Sequence, residues 1–144
     1  LAEAVQILEG FMKEAADPDR GLEALGEAYA EMEEFGKAAD AYKRASELDP
    51  DNIEIRKSLA QALFFSDRID EAAALYEQLL KSEPNDGLAM LRLGQIYRRQ
   101  MKYAGARQYL TKAVQSFPDS TEVQFNLILL DRDEGNRERS SERL

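Results

Sequence analysis

Apolar positions recur along this chain with two periods at once. Locally, Leu25 and Tyr29 are four residues apart, and Ala38, Tyr42 and Ala45 follow at steps of four and three, so each set lies on one face of a helix. Over longer distances the same sets return every 34 residues. Leu25, Leu59, Leu93 and Leu127 form one column, followed by Gly26, Ala60, Gly94 and Ile128, and then by Tyr29, Leu63 and Tyr97. Ala38, Ala72 and Ala106 come nine residues later, then Tyr42, Tyr76 and Leu110, then Ala45, Leu79 and Ala113. Pro50, Pro84 and Pro118 punctuate the series. A fixed period of this length predicts helical hairpins stacked to bury one continuous core. The pattern predicts nine helices, at 1–15, 19–32, 36–48, 53–66, 70–82, 87–100, 104–117 and 121–134, with a short one from about 138.

Each column has a physical reason. Small residues at Gly26, Ala60 and Gly94, and at Ala38, Ala72 and Ala106, allow two helices to approach where larger side chains would hold them apart. The prolines end the second helix of each pair, because proline lacks an N–H and restricts the residue before it. Asp51-Asn52, Asn85-Asp86 and Asp119-Ser120 then stand ready to cap the next helix, and Asp51 with Glu54 and Asp119 with Glu122 have capping-box spacing.

These columns resemble the tetratricopeptide repeat family, whose pattern is Leu-Gly-x-x-Tyr on a first helix, Ala-x-x-x-aromatic-x-x-Ala on a second, and a closing proline. The resemblance covers essentially the whole chain, with about twenty positions in phase. It implies an all-α fold, a right-handed superhelical α-solenoid of antiparallel helix pairs. As a single domain over 1–144 it has complete repeats at 19–52, 53–86 and 87–120, the second helix of a partial repeat at 1–18, and a partial repeat at 121–144. The family often carries glycine at the hairpin turn; here Glu33, Asp67 and Met101 hold that column, with Gly36 and Gly105 displaced into the second helix.

Both ends read as half-repeats. Ala4, Leu8 and Phe11 fit second-helix columns, with Ala16 at the proline position, while Ser140 and Leu144 fit the start of a second helix. The chain begins without Met. The expectation is a piece of a longer solenoid, since natural arrays normally finish with a polar capping helix.

Composition narrows the chemistry. With no His and no Cys, the 144 residues supply no Ser-His-Asp triad, no thiolate nucleophile and no His/Cys zinc site, and no glycine-rich phosphate loop is present. Neither a catalytic residue nor a metal ligand is expected, and no cofactor. Acidic pairs such as Glu33-Glu34 and Asp131-Asp133 read as solvated helix surface. A net charge of −9 argues against nucleic acid as a partner. No apolar run approaches the roughly 18 residues of a bilayer span, so no direct membrane insertion is expected. Cytoplasm and periplasm are equally compatible with a cysteine-free chain.

Charge is unevenly spread. Residues 1–50 hold thirteen acidic and five basic residues, whereas 87–120 hold six basic residues and one acidic. Arg92, Arg98, Arg99, Lys102, Arg107 and Lys112 form this basic island, which either balances acidic neighbours in the stack or meets a partner.

In the family the first helices line a concave groove, and ligand contacts come from columns that the core does not need. The resemblance places Arg20, Glu23, Glu27 and Glu31 there in the first repeat, and Lys57, Ser58, Gln61, Phe64 and Phe65 in the second. Leu88, Leu91, Arg92, Gln95, Arg98 and Arg99 follow in the third, then Phe125, Asn126, Leu129 and Arg132. Phe65, Leu88, Leu91 and Phe125 read as exposed, to be covered either by a partner or by a further helix. Family members that clamp a chaperone's C-terminal carboxylate need Lys and Asn, then Asn, then Lys and Arg. Neither possible alignment, Glu23, Glu27, Ser58, Leu88, Arg92 or Lys57, Gln61, Arg92, Glu122, Asn126, supplies the set.

The expected function is therefore a protein-interaction module that takes a peptide or helix, acidic and apolar in character, at Lys57, Gln61, Phe64, Phe65, Leu88, Leu91, Arg92, Gln95, Arg98, Arg99, Phe125, Asn126 and Leu129. Self-association through repeat stacking, and a non-catalytic part of a larger enzyme or of a secretion or assembly protein, are the alternatives.

Overall fold

A computed structural model describes residues 2–12 and 18–142. Every regular element among the described residues is an α-helix: α1 (Ala2–Met12), α2 (Pro18–Glu31), α3 (Phe35–Leu48), α4 (Ile53–Phe65), α5 (Ile69–Ser82), α6 (Gly87–Arg99), α7 (Tyr103–Ser116) and α8 (Thr121–Glu142). The chain divides into two compact units, Leu1–Leu75 and Tyr76–Leu144.

The helix ends repeat as the sequence does. After α3, α5 and α7 come four-residue turns, 49–52, 83–86 and 117–120, in which the last amide donates to the first carbonyl at 3.2, 3.2 and 3.1 Å. Proline occupies the second position of each, where its fixed φ suits the turn. The cap of the next helix is consequently the fourth residue. Asn52 Oδ1 accepts the Ile55 amide at 3.2 Å. Asp86 Oδ1 accepts those of Leu88 and Ala89 at 3.1 and 3.2 Å, and Ser120 Oγ accepts that of Val123 at 3.3 Å. This corrects the capping boxes expected at Asp51 and Asp119, which lie inside the turn, one residue too early.

Within each hairpin the chain turns through the left-handed region, with φ of 59° at Glu33, 67° at Asp67 and 63° at Met101. The next amides, of Glu34, Arg68 and Lys102, donate back to Tyr29, Leu63 and Tyr97 at 2.9, 2.9 and 2.8 Å. Those of Glu33, Asp67 and Met101 donate to Ala30, Phe64 and Arg98 at 3.0, 3.3 and 3.0 Å, which completes a Schellman closure. The glycine expected at this column is thus replaced without loss of the turn; the side chain is simply carried in a conformation that disfavours it.

In the first unit α1 packs on α2, α2 on α3, and α3 on α4. Leu25 and Ala28 meet Val5 and Ala41, while Leu22 meets Ala45 and Ile55. A Cβ at Gly26 would stand 2.7 Å from the Tyr42 ring. The second unit repeats this with α6 on α7 and α8 on both. Its core holds Met90, Leu91, Ala106, Leu110, Ala113, Val123 and Leu130, and a Cβ at Gly94 would stand 2.5 Å from Leu110.

The fourth repeat departs from the expectation of a ninth helix. α8 runs unbroken through Gly135 to Glu142, although Gly135 is the counterpart of Glu33, Asp67 and Met101. The residues after it, Asn136–Ser141, contain no apolar side chain to fold back, and Arg137 instead lies 5.7 Å over the Tyr103 ring. At the other end, Leu8 joins Val5 in the first unit's core while Ala4 stays exposed. Ala16, Leu144 and the Phe11 side chain lie outside the described residues.

Two stability predictions follow from these contacts. Ala72 is fully buried and Ala74 exposed, so Ala72→Leu is expected to cost about 1–3 kcal/mol and Ala74→Leu almost nothing, as read by thermal melts. Met101→Gly is expected to stabilise by about 0.5–1 kcal/mol, because the left-handed position penalises a side chain that here remains 71% exposed. Asp67→Gly should gain less, since Asp tolerates that region better; chemical denaturation of the two variants checks the order.

Candidate functional site

The first helices of the repeats, α2 and α4 in one unit and α6 and α8 in the other, carry the residues assigned to binding. On α4, Lys57 is half-buried with its Nζ 3.7 Å from Glu54. Gln61 is exposed and borders a small cavity of about 190 Å³ that Ala30, Phe35, Tyr42, Ser58 and Ala62 complete. The rings of Phe64 and Phe65 meet edge to face at 5.2 Å, and Phe65, 43% exposed, also lies 5.1 Å from Phe35. The Tyr42 hydroxyl is pushed up to about 12, chiefly by burial and then by the Glu27 carboxylate; Glu23 and Glu31 add to this and the Ser58 hydrogen bond opposes it. Phe35 escaped the sequence reading, although the column Phe35, Ile69, Tyr103, uniformly large and apolar just after each hairpin turn, marks it.

The second unit corrects several assignments. Leu91 is only 3% exposed and belongs to the core. Asn126 is buried, its Nδ2 donating to the Glu122 carbonyl at 2.8 Å. Arg92 is 9% exposed, and its Nη1 donates to Gln95 Oε1 at 2.9 Å and to Glu122 Oε1 at 3.2 Å; Gln95 Nε2 also reaches Glu122, at 3.3 Å. Beside Arg92 the Tyr76 hydroxyl is pushed up to about 12, by burial in the first place and against the arginine's charge. Arg98 Nη1 holds Asp133 at 2.8 Å, and Arg107 on α7 holds Asp131 at 2.6 Å and Glu134 at 2.9 Å. Half of the basic island, Arg92, Arg98 and Arg107, therefore fastens α8 to α6 and α7. Leu88, Arg99 and Phe125 remain exposed, and Leu129 is half-buried.

A second repeated contact lies on the opposite side of the first helices. The Tyr29 hydroxyl donates to Glu9 at 2.8 Å, and Tyr97, 68 residues later, donates likewise to Glu77. Both hydroxyls are held above the ordinary tyrosine range, Tyr29 mainly by the Glu9 hydrogen bond and Tyr97 mainly by burial. Among the described residues no group of His, Cys, Asp and Glu is arranged to hold a metal, and no helix is long and apolar enough to cross a membrane.

Comparison with known proteins agrees with this architecture. Two profiles match, described as "Tetratricopeptide repeat" over residues 57–121 and "TPR repeat" over residues 26–65. The chain belongs to the tetratricopeptide repeat family, whose domains are generally protein-interaction modules. It is 30% identical over 112 residues to the human Protein O-mannosyl-transferase TMTC1, covering 75% of this chain but only 13% of that protein. Among solved structures, MamA from Desulfovibrio magneticus RS-1 matches with a TM-score of 0.85 at 18% identity, over 98% of this chain and 80% of its own. The Sgt2 TPR domain from Aspergillus fumigatus matches with a TM-score of 0.72 at 24% identity, over 84% and 82%. At these identities the structural likeness concerns the fold.

The Arg98–Asp133 pair gives a pH prediction. Its hydrogen bond to Arg98 holds the Asp133 carboxyl below the ordinary value of 3.8, so folding favours the ionised form. The pair stabilises the fold above that value, and the contribution is lost as pH falls through the lowered folded-state pKa. Asp133→Asn is expected to cost about 1 kcal/mol at neutral pH, and the gap to the parent chain should close as pH falls through the lowered folded-state value of Asp133. Urea unfolding at a series of pH values reads both.

Proposed function

We propose that the domain holds a peptide or helix of another protein on the outward faces of its first helices, α2 and α4 in one unit and α6 with α8 in the other. The observation that carries this reading is the exposure of Phe65, Leu88 and Phe125, three large apolar side chains on first helices. Large apolar side chains left in water on such a helix face are the usual mark of a binding surface. Gln61, Gln95, Arg99 and Leu129 border them and supply orientation and rim contacts. Lys57, Phe64 and Arg98 support the same faces from half-buried positions. Leu91, Arg92 and Asn126 serve the fold beneath. An acidic partner is no longer the natural choice for the second unit, because Arg92, Arg98 and Arg107 already hold carboxylates of α8. In a longer protein such as the transferase it partly matches, we assign the segment the same holding role, with no share in the chemistry.

One observation favours self-association as a second reading. Ile128 is 63% exposed although its counterparts Gly26, Ala60 and Gly94 are buried under neighbouring helices, and Phe125 stands beside it. Sedimentation over a hundredfold concentration range separates the readings.

For the principal reading, peptides selected from a displayed library against the chain are measured on variants. Phe65→Ser, or Leu88→Ser with Phe125→Ser, is expected to weaken binding at least tenfold, about 1.4 kcal/mol, with little change in melting temperature. Lys112→Glu, on exposed α7 surface, should leave it intact. Unchanged affinity in both serine variants would move the site elsewhere. Arg92→Glu should instead lower the melting temperature, because it buries a carboxylate beside Glu122 where the arginine had been paired.

A further inference from the structure

The α2–α4 face of the first unit has the parts of a docking surface. Phe35, Phe64 and Phe65 form a contiguous aromatic edge, and Phe65 presents its ring to solvent. Beside it opens the cavity of about 190 Å³, with Tyr42 and Ala30 in its wall and the polar groups of Ser58 and Gln61 at its rim. That volume is below the range of about 300–1,000 Å³ usual for metabolite pockets and suits a single side chain. Geometry alone describes an apolar anchor site.

Charge decides what brings the anchor. Glu23, Glu27 and Glu31 are spaced by four residues, so they form a row along α2 at steps of about 6 Å. Like charges at this spacing weaken a helix, and a solvated face normally relieves them with interleaved cations. Here none of the three carboxylates has an ion pair among the described residues. Lys57, across on α4, is drawn to Glu54 of its own helix. The row runs along the side of α2 that brings Ala30 to the socket, with Glu23 and Glu27 seven and three residues before Ala30 and Glu31 next to it, and the charge of all three is felt at the Tyr42 hydroxyl in the socket wall. In the second unit, by contrast, Arg92, Arg98 and Arg107 each hold a carboxylate. Unbalanced negative charge therefore lies beside the aromatic edge on which Phe65 is exposed.

We infer that the α2–α4 face binds a basic segment of another protein. Two or more Lys or Arg side chains one helical turn apart, or two residues apart in an extended strand, meet the Glu23–Glu27–Glu31 row. An adjacent apolar side chain enters the socket. This rests on the interaction-module reading and names the partner's chemistry at one of its faces.

The test uses three sets of immobilised 12-residue peptides that share the same leucines and phenylalanines and differ only in carrying Lys/Arg, Asp/Glu or Ser/Gln between them. The chain is expected to bind the basic set, at least tenfold more tightly than the other two, and to lose most of that preference in high salt. Glu23→Gln, Glu27→Gln and Glu31→Gln together should abolish the preference while leaving the melting temperature unchanged or higher. Phe65→Ser should weaken capture of the basic set. Equal capture of the neutral or acidic set, or an unchanged preference in the triple variant, overturns this inference. If the acidic or neutral set is captured and Leu88→Ser with Phe125→Ser releases it, the interaction-module reading stands while the inference falls. No capture of any set at up to about 1 mM peptide overturns both.

Discussion

How near two helices may come is fixed by the smallest side chains between them, and this limit governs each unit of the chain. At Gly26 and Gly94 the facing Tyr42 and Leu110 occupy the space a Cβ would need, and the alanines of the second helices, Ala38, Ala72 and Ala106, are wholly buried. Close approach gives large side chains such as Leu25 and Leu93 neighbours on all sides, and dispersion and burial then hold the pair. The same limit separates surfaces by role. Columns that meet the partner helix stay apolar or small, as in Tyr42, Tyr76 and Leu110, whereas those that do not, such as Glu27, Gln61, Gln95 and Leu129, differ in charge and polarity.

Turns are less constrained than the helix contacts, and they tolerate chemistry that the contacts would not. Glu33, Asp67 and Met101 adopt the left-handed conformation without being glycine, because two backbone hydrogen bonds and the return of the second helix over-determine the turn. Gly135 shows the converse. It is well suited to that conformation, yet the helix continues through it into Asn136–Ser141, which offer no apolar side chain for a return onto α8. Tertiary packing, rather than the residue at the turn, decides where these helices end.

That difference explains what is legible in the sequence. The helix pairs can be read from it because each contact column repeats, so a single misplaced residue would break a visible pattern. Caps at Asn52, Asp86 and Ser120 are harder to place, since two polar residues follow each proline and only the turn geometry chooses between them. The candidate site is legible as a set of columns and much less so as a surface. Leu91 and Phe125 share a column, yet one is core and the other solvent-exposed, because Leu91 has α8 over it. No local feature of the sequence distinguishes them.

Charge follows the same logic with a different range. Arg92 and Glu122 are 30 residues apart and Arg98 and Asp133 are 35, so each pair joins neighbouring repeats and appears in a linear count only as a basic stretch followed by an acidic one. Once those pairs are formed, α8 is held to α6 by groups that any acidic ligand would otherwise have to compete for, and breaking Arg92 from Glu122 would leave a buried guanidinium poorly compensated. Arg92, Arg98 and Arg107 of the basic island are therefore committed to structure, whereas Glu23, Glu27 and Glu31 of α2 have no ion pair among the described residues. An overall charge of −9 is thus not a uniform property of this chain. The excess lies in the first unit, where Glu23, Glu27 and Glu31 are three of the thirteen acidic residues that stand against five basic ones in residues 1–50.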